Sequence, residues 1–279
     1  MLEILKAVLF GIVEGITEWL PISSTGHMIL LNEFVTMNVS QEFWDMFLVV
    51  IQLGAILAVV LLYWNKIWPF RKKKPGKSMV KKSIITLWIK IIVACIPAAI
   101  VGVLFDDVLD ALFYNYTFVS IALIVFGIAF IFIENWNKGK IPKINSLKEL
   151  DYRTVMLIGV FQLIAAIFPG TSRSGATIVG ALLLGVSRTV AAEFTFFLAI
   201  PVMFGASLLK IVKFAVSGIA ISGMEVIILL VGMLVAFLVS VFVIRFLMGY
   251  IKKHDFKVFG WYRIVLGILV LVYFFTREI

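Results

Sequence analysis

The sequence predicts an all-α integral membrane protein with six transmembrane helices and two re-entrant helical hairpins, arranged as two inverted repeats. Three observations predict it. Of the 279 residues, 62% are hydrophobic, against roughly 45–50% in a soluble domain, and the mean hydropathy is +1.11. Six apolar stretches approach the ~20 residues that cross a hydrocarbon core. Two more apolar stretches each run into a proline and a loop rich in Ser, Thr and Gly, and these loops match one another 148 residues apart.

The first such stretch, residues 2–20, reaches Pro21 and the string Ser23-Ser24-Thr25-Gly26-His27 before a short apolar segment. Spans then follow at 43–64, 84–105 and 117–133. The second stretch, 154–168, reaches Pro169-Gly170-Thr171-Ser172-Arg173-Ser174-Gly175, and further spans lie at 191–212, 225–247 and 259–275. Gly11, Glu14, Pro21, Ser23 and Ser24 fall opposite Gly159, Gln162, Pro169, Thr171 and Ser172, and the same spacing sets Thr25 opposite Arg173. The run 119–133 likewise resembles 259–273, with Val125 and Gly127 opposite Val265 and Gly267. Irregular backbone at membrane depth is tolerated only where protein buries it or it lines a wet cavity, so both loops are expected to face inward.

Lys and Arg set the orientation, because short cytoplasmic loops carry the positive excess. Residues 65–83 hold Lys66, Arg71, Lys72, Lys73, Lys74, Lys77, Lys81 and Lys82 without an acid. Residues 135–153 add five basic side chains, and Arg245, Lys252, Lys253 and Lys257 mark a third basic end. Residues 28–42 and 106–116 hold none, the latter with Asp106, Asp107 and Asp110, and belong outside. The first hairpin then enters from outside and the second half begins from the cytoplasm. One transmembrane domain, 1–279, is expected, with repeats over about 1–134 and 154–279 joined by a cytoplasmic connection at 135–153.

The net charge of +9 serves this orientation, and its division into short runs between spans excludes nucleic acid as a partner. Cys95 is the single cysteine, which excludes an intrachain disulfide and a cysteine metal cluster and leaves a packing residue. The first apolar stretch is broken by Glu14 and Glu18 and lacks a small-residue cleavage pattern, so it is expected to remain in the mature protein.

Chemistry concentrates in the two loops. On a helix, Gly11, Glu14, Gly15 and Glu18 share a face, so two carboxylates meet one space and need a cation, an arginine or a shared proton to relieve them. A bound divalent metal does this; pairing to a neighbouring helix is the alternative. Ser23, Ser24, Thr25 and His27 bring hydroxyls and an imidazole together, which suits a nucleophile beside a base. Ser23 and Thr25 are expected mainly to shape the loop, as helix caps. In the second loop Gly170 and Gly175 permit tight turns and Arg173 offers a fork for phosphate oxygens at a helix start. Without an anion, its natural partner is Glu14 or Glu18. Asp45, Gln52 and Glu193 are candidate supporting groups; Lys90 and Arg263, near helix ends, are expected to snorkel toward water. His254 sits in a basic end and is expected to be solvated, and Trp64, Trp68 and Trp261 fit interfacial belts.

The string Glu14-x-x-x-Glu18 with Pro21-x-Ser-Ser-Thr-Gly-His27, and Pro169-Gly-x-Ser-Arg-Ser-x-x-Thr177, resemble the two signatures of the bacterial undecaprenyl-diphosphate phosphatases, also called bacitracin-resistance proteins. The resemblance covers nearly the whole chain. It implies hydrolysis of undecaprenyl diphosphate to undecaprenyl phosphate and phosphate in the bacterial cell membrane, at a site open to the outer leaflet, recycling the carrier for peptidoglycan synthesis. It further implies that Glu14 and Glu18 hold a divalent cation, Mg²⁺ or Ca²⁺, or assist proton transfer. Ser24 would be the nucleophile, His27 its base or acid, and Arg173 the diphosphate clamp, aided by Ser172, Ser174, Thr177, Ser23, Thr25 and Gly170. Membrane lipids are the expected surroundings, and a homodimer is compatible with this picture. The rival class is a transporter or flippase of an anionic prenyl lipid, because inverted repeats with broken helices are also a transport architecture.

Overall fold

In a computed structural model of the chain, the described residues are 1–70, 79–113 and 115–278, side chains excepted at Asp106, Asp107, Asp110, Ala111, Arg277 and Glu278. Arg71, Lys72, Lys73, Lys74 and Lys77, and the three aspartate side chains that mark the outside, therefore lie outside what is described. The described residues form ten helices: α1 (Leu2–Thr17), α2 (Ser24–Phe34), α3 (Gln41–Ile67), α4 (Lys82–Phe113), α5 (Tyr116–Trp136), α6 (Tyr152–Ile167), α7 (Arg173–Leu183), α8 (Arg188–Val216), α9 (Gly223–Tyr250) and α10 (Lys257–Glu278). Among them, β pairing is limited to two isolated bridges.

Helices α3, α4, α5, α8, α9 and α10 are long and apolar enough to cross a membrane, and they coincide with the six predicted stretches. Each extends past the apolar stretch that announced it, and on α3, α5 and α9 polar caps close the helix beyond the apolar run. Ser40 accepts from Phe43 N–H at the start of α3, Asn115 from Phe118 N–H at α5, and Ser222 with Glu225 forms a capping box on α9. Large apolar side chains on these helices face outward, among them Leu57 and Leu61 on α3 and Leu230, Leu234 and Leu238 on α9. Such a surface is stable against lipid and costly against water; this is a multi-pass membrane protein.

Lipid tails are as apolar as leucine, so the helices hold together by close packing of small residues. A Cβ on Gly11 of α1 would lie 2.7 Å from the Gly232 carbonyl oxygen of α9, and one on Gly127 of α5 would lie 2.7 Å from that of Gly260 on α10. Helix α1 packs on α9 while α6 packs on α4, and α3 meets α8 as α5 meets α10. Pro97 and Pro201 sit inside α4 and α8, where the lost N–H bond favours a bend. At the centre lies α7, buried continuously from Ser174 to Leu182 and enclosed by α5, α6 and α8. Its first residue, Arg173, is thereby carried on a helix that its neighbours hold in place. Helix α2 is less enclosed, with only Gly26 and Met28 buried.

Outside the membrane, Asp151 caps α6 by accepting from Thr154 N–H at 2.7 Å. The Thr154 hydrogen bonds hold the Asp151 carboxyl below its usual range.

Candidate active site

The two loops are built on one plan. After Pro21 the chain reaches Ser23 at φ 73°, whose Oγ accepts from Gly26 N–H as α2 begins. After Pro169 it reaches Ser172 at φ 68°, whose Oγ accepts from Gly175 N–H as α7 begins. A left-handed serine costs on the order of 1 kcal/mol, and two of them at matching stations mark loops held by their surroundings. This pairing corrects the register drawn from a constant spacing of 148. Ser23 corresponds to Ser172 and Ser24 to Arg173, because the second loop holds one more residue between proline and cap.

Gly170 occupies that longer turn at φ 89°, and a Cβ there would sit 2.5 Å from the Val119 carbonyl oxygen. Gly170→Ala is therefore expected to destabilise the protein by about 2 kcal/mol or more, read as a lowered thermal midpoint in detergent.

The loops meet at Glu18. The Ser24 hydroxyl donates to Glu18 Oε2 at 2.9 Å, and Arg173 Nη2 donates to Glu18 Oε1 at 3.0 Å. Both side chains of the ion pair are largely withdrawn from solvent, so the attraction is weakly screened. Arg173 Nη1 donates to the Thr195 carbonyl at 3.0 Å, which anchors the guanidinium plane to α8. Ser174 Oγ donates to the Glu18 carbonyl at 3.2 Å and lies 3.1 Å from Ser172 Oγ. Thr177 Oγ1 lies 2.9 Å from the Arg173 carbonyl oxygen and 2.9 Å from Thr195 Oγ1. Of the buried atoms without a hydrogen-bond partner, which include Thr171 Oγ1 and both Gln162 amide atoms, two belong to ionisable groups of the site, Arg173 Nε and Glu14 Oε1. One is a donor and the other an acceptor, so each is available to a ligand.

His27 is placed differently from the sequence expectation. Its Nδ1 lies 2.7 Å from the Ser23 carbonyl oxygen and its Nε2 2.7 Å from the Tyr262 hydroxyl, with the two rings stacked at 5.6 Å. Both ring nitrogens are thus engaged away from Ser24, whose proton points to Glu18. Ser23 caps α2, as expected; Thr25 follows in that helix, half-buried. Among the described residues, no group of three or more His, Cys, Asp or Glu side chains gathers as a metal site.

Arg263 does not snorkel. It is fully buried on α10, where its Nη1 donates to the Pro21 carbonyl at 3.3 Å and its Nη2 to those of Gly170 and Thr171 at 3.0 and 2.7 Å. Further bonds reach Leu123 and Ala122 on α5. One guanidinium therefore ties both loops to one point, with the two N–H groups of Nη2 shared among three carbonyls. Lys90 is also buried rather than extended to water. Glu193 pairs with Lys66 and Asp45 accepts from Gln41, so these two acids turn away from the loops; Gln52 is partly buried on α3. His254 is exposed, its ring stacked on Tyr250. The residues missed in the sequence are Arg263, Tyr262 and Thr195; the signal for the first two was a polar pair inside an apolar stretch, read as a helix end.

The sequence profile of the family described as "Bacitracin resistance protein BacA" matches residues 7–269. The chain is 67% identical over its full length to a protein named undecaprenyl-diphosphatase from Desulfitobacterium hafniense, covering 99% of that protein. It is 68% identical to undecaprenyl-diphosphatase 1 of Clostridium acetobutylicum and 63% identical to undecaprenyl-diphosphatase of Acetivibrio thermocellus, each over 98% of both chains.

Proposed function

This chain belongs to the bacitracin resistance protein BacA family, and from that membership we propose that it hydrolyses undecaprenyl diphosphate to undecaprenyl phosphate and inorganic phosphate. The observation that carries the chemistry is the chain of contacts from Ser24 through Glu18 to Arg173, which joins a hydroxyl, a proton acceptor and a phosphate-binding cation across two loops.

Glu18 takes the Ser24 proton as Oγ attacks the terminal phosphorus, and the bond to the bridging oxygen breaks, releasing undecaprenyl phosphate. Water then attacks the phosphoserine; Glu18 returns its proton to Oγ, and phosphate leaves. Arg173 turns from Glu18 to the diphosphate, its unpartnered Nε adding a donor. Backbone N–H groups at the start of α7 face the same charge. Phosphoryl transfer depends mostly on such positioning and charge neutralisation. His27 is assigned to positioning, since its bonds to Ser23 and Tyr262 fix the turn that presents Ser24. Ser172, Ser174 and Thr177 hold the Arg173 turn.

A divalent cation, Mg²⁺ or Ca²⁺, belongs to this reading. Carboxylate oxygens suit hard cations, and such ions often complete their shell with water and substrate phosphate rather than an all-protein cage. Glu14 and Glu18 would hold it, Glu14 through the buried Oε1 that lacks a partner. When bound, the cation neutralises charge on the diphosphate.

The same reading gives two re-entrant hairpins, α1–α2 and α6–α7, in inverted repeats over about 1–134 and 154–279 of a single domain. Support comes from the matched left-handed serines and from the crossed packing of α1 on α9 and α6 on α4. The site opens to the outer leaflet of the bacterial cell membrane, opposite the basic ends.

The deciding experiment is phosphate release from a prenyl diphosphate by purified protein in detergent, with divalent cation present. A flippase has no membrane to cross there and releases nothing. Ser24→Ala is expected to lower kcat by on the order of 10³ with KM nearly unchanged; steady-state phosphate assays check this, and wild-type turnover would move the nucleophile elsewhere.

A further inference from the structure

Away from the two loops, at the basic end of the bundle, the end of α3, the start of α4, residues 145–148 and the start of α8 enclose a cavity of about 860 Å³. Lys66, Lys81, Lys90 and Lys148 line it against one carboxylate, Glu193, which is already paired with Lys66. Lys90 is the telling member. It is only 8% exposed, donates a single hydrogen bond at 3.3 Å to the Lys148 carbonyl, and has no ion pair among the described residues. Asp151 acts on it through its field but makes no ion pair with it; an ammonium carries three donors, and a buried charge left without a bonded counter-charge is costly.

Two helix starts add to the positive field. Ser83 at the start of α4 and Thr189 at the start of α8 both line the cavity, and the first turn of each helix is the positive end of its dipole. Ser187 makes no side-chain cap on α8, which leaves first-turn N–H groups for another acceptor. The exposed, stacked Trp64 and Trp68 close α3 beside this cavity, a pairing suited to the membrane interface. The volume falls in the range of roughly 300–1,000 Å³ typical of ligand sites.

We propose that this cavity is a second anion site, separate from the Ser24 and Arg173 loops, that binds a phosphate group carried either by an anionic membrane lipid or by free inorganic phosphate. It stands independently of the hydrolytic reading.

The test uses the full chain in detergent carrying Arg173→Ala, so that phosphate held by that arginine does not count. Equilibrium binding of radiolabelled inorganic phosphate is one arm; native mass spectrometry with phosphatidylglycerol, and phosphatidylcholine as the zwitterionic control, is the other. Lys90→Met and the double variant Lys81→Gln with Lys148→Gln are each expected to weaken binding about tenfold, the amount one lost charge-assisted hydrogen bond carries. Loss in the phosphate arm identifies the free anion, and loss in the phosphatidylglycerol arm identifies the lipid. Should Lys90→Met fail to fold by thermal unfolding, the double variant decides. Absence of binding in both arms, or equal binding with and without the lysines, overturns the site.

Discussion

Arg173→Ala is expected to lower kcat/KM for a prenyl diphosphate by about 10³, because it removes the cation that in the proposed site both clamps the substrate and faces the charge of the transferring phosphoryl group. The substitution also strands Glu18, whose Oε1 now accepts from Arg173. Breaking one side of a buried pair typically costs about 3–5 kcal/mol, so the thermal midpoint should fall as well. Arg173→Lys is expected to restore stability better than activity. A single ammonium lacks the planar fork that spans the Thr195 carbonyl and Glu18 together. Phosphate release in detergent and thermal unfolding measure the two effects separately. Activity within threefold of wild type in Arg173→Ala would sink the clamp.

The second large effect belongs to Arg263, which touches backbone rather than any proposed reacting group. Arg263→Met fills similar space but removes every donor from the carbonyls of Pro21, Gly170 and Thr171. Each stranded buried acceptor costs about 1–3 kcal/mol, so a large loss of thermal stability is expected. Turnover should fall by about 10² in whatever protein folds, since small misplacement of a reacting group is enough for that. Arg263→Lys separates positioning from folding: it is expected to recover much of the stability while kcat stays depressed and KM moves little. Wild-type kcat in Arg263→Lys would mean that the arginine only holds the fold.

The membrane class and all six spans were legible in the sequence, because one number, the run length of apolar residues, decides whether a helix crosses. The extents of those helices were not, since Ser40, Asn115 and Ser222 cap them outside the hydrocarbon that hydropathy registers. Within the site, the partnership of Glu18 with Arg173 was anticipated because a buried arginine must find an anion. The partner of Ser24 was not. His27 is closer to Ser24 than Glu18 is along the chain, yet backbone direction after a left-handed serine turns Ser24 toward α1 and His27 toward α10. Arg263 was misjudged for a related reason: an arginine near a helix end usually reaches for water, and only the fold reveals five carbonyls converging on it.

If Arg173 is the clamp proposed above, its bond to Glu18 also makes the resting protein its own competitor. Any anion entering the proposed site must displace a carboxylate already seated on the guanidinium, tethered there and therefore always present at high local concentration. Measured affinity is then the difference between two salt bridges rather than the strength of one. A group with little charge gains almost nothing from the exchange, whereas a diphosphate brings more charge than the glutamate it replaces. In the proposed mechanism, selection between the lipid diphosphate and its monophosphate product is thereby set inside the resting protein, and the displaced Glu18 acts as base only after that exchange has occurred.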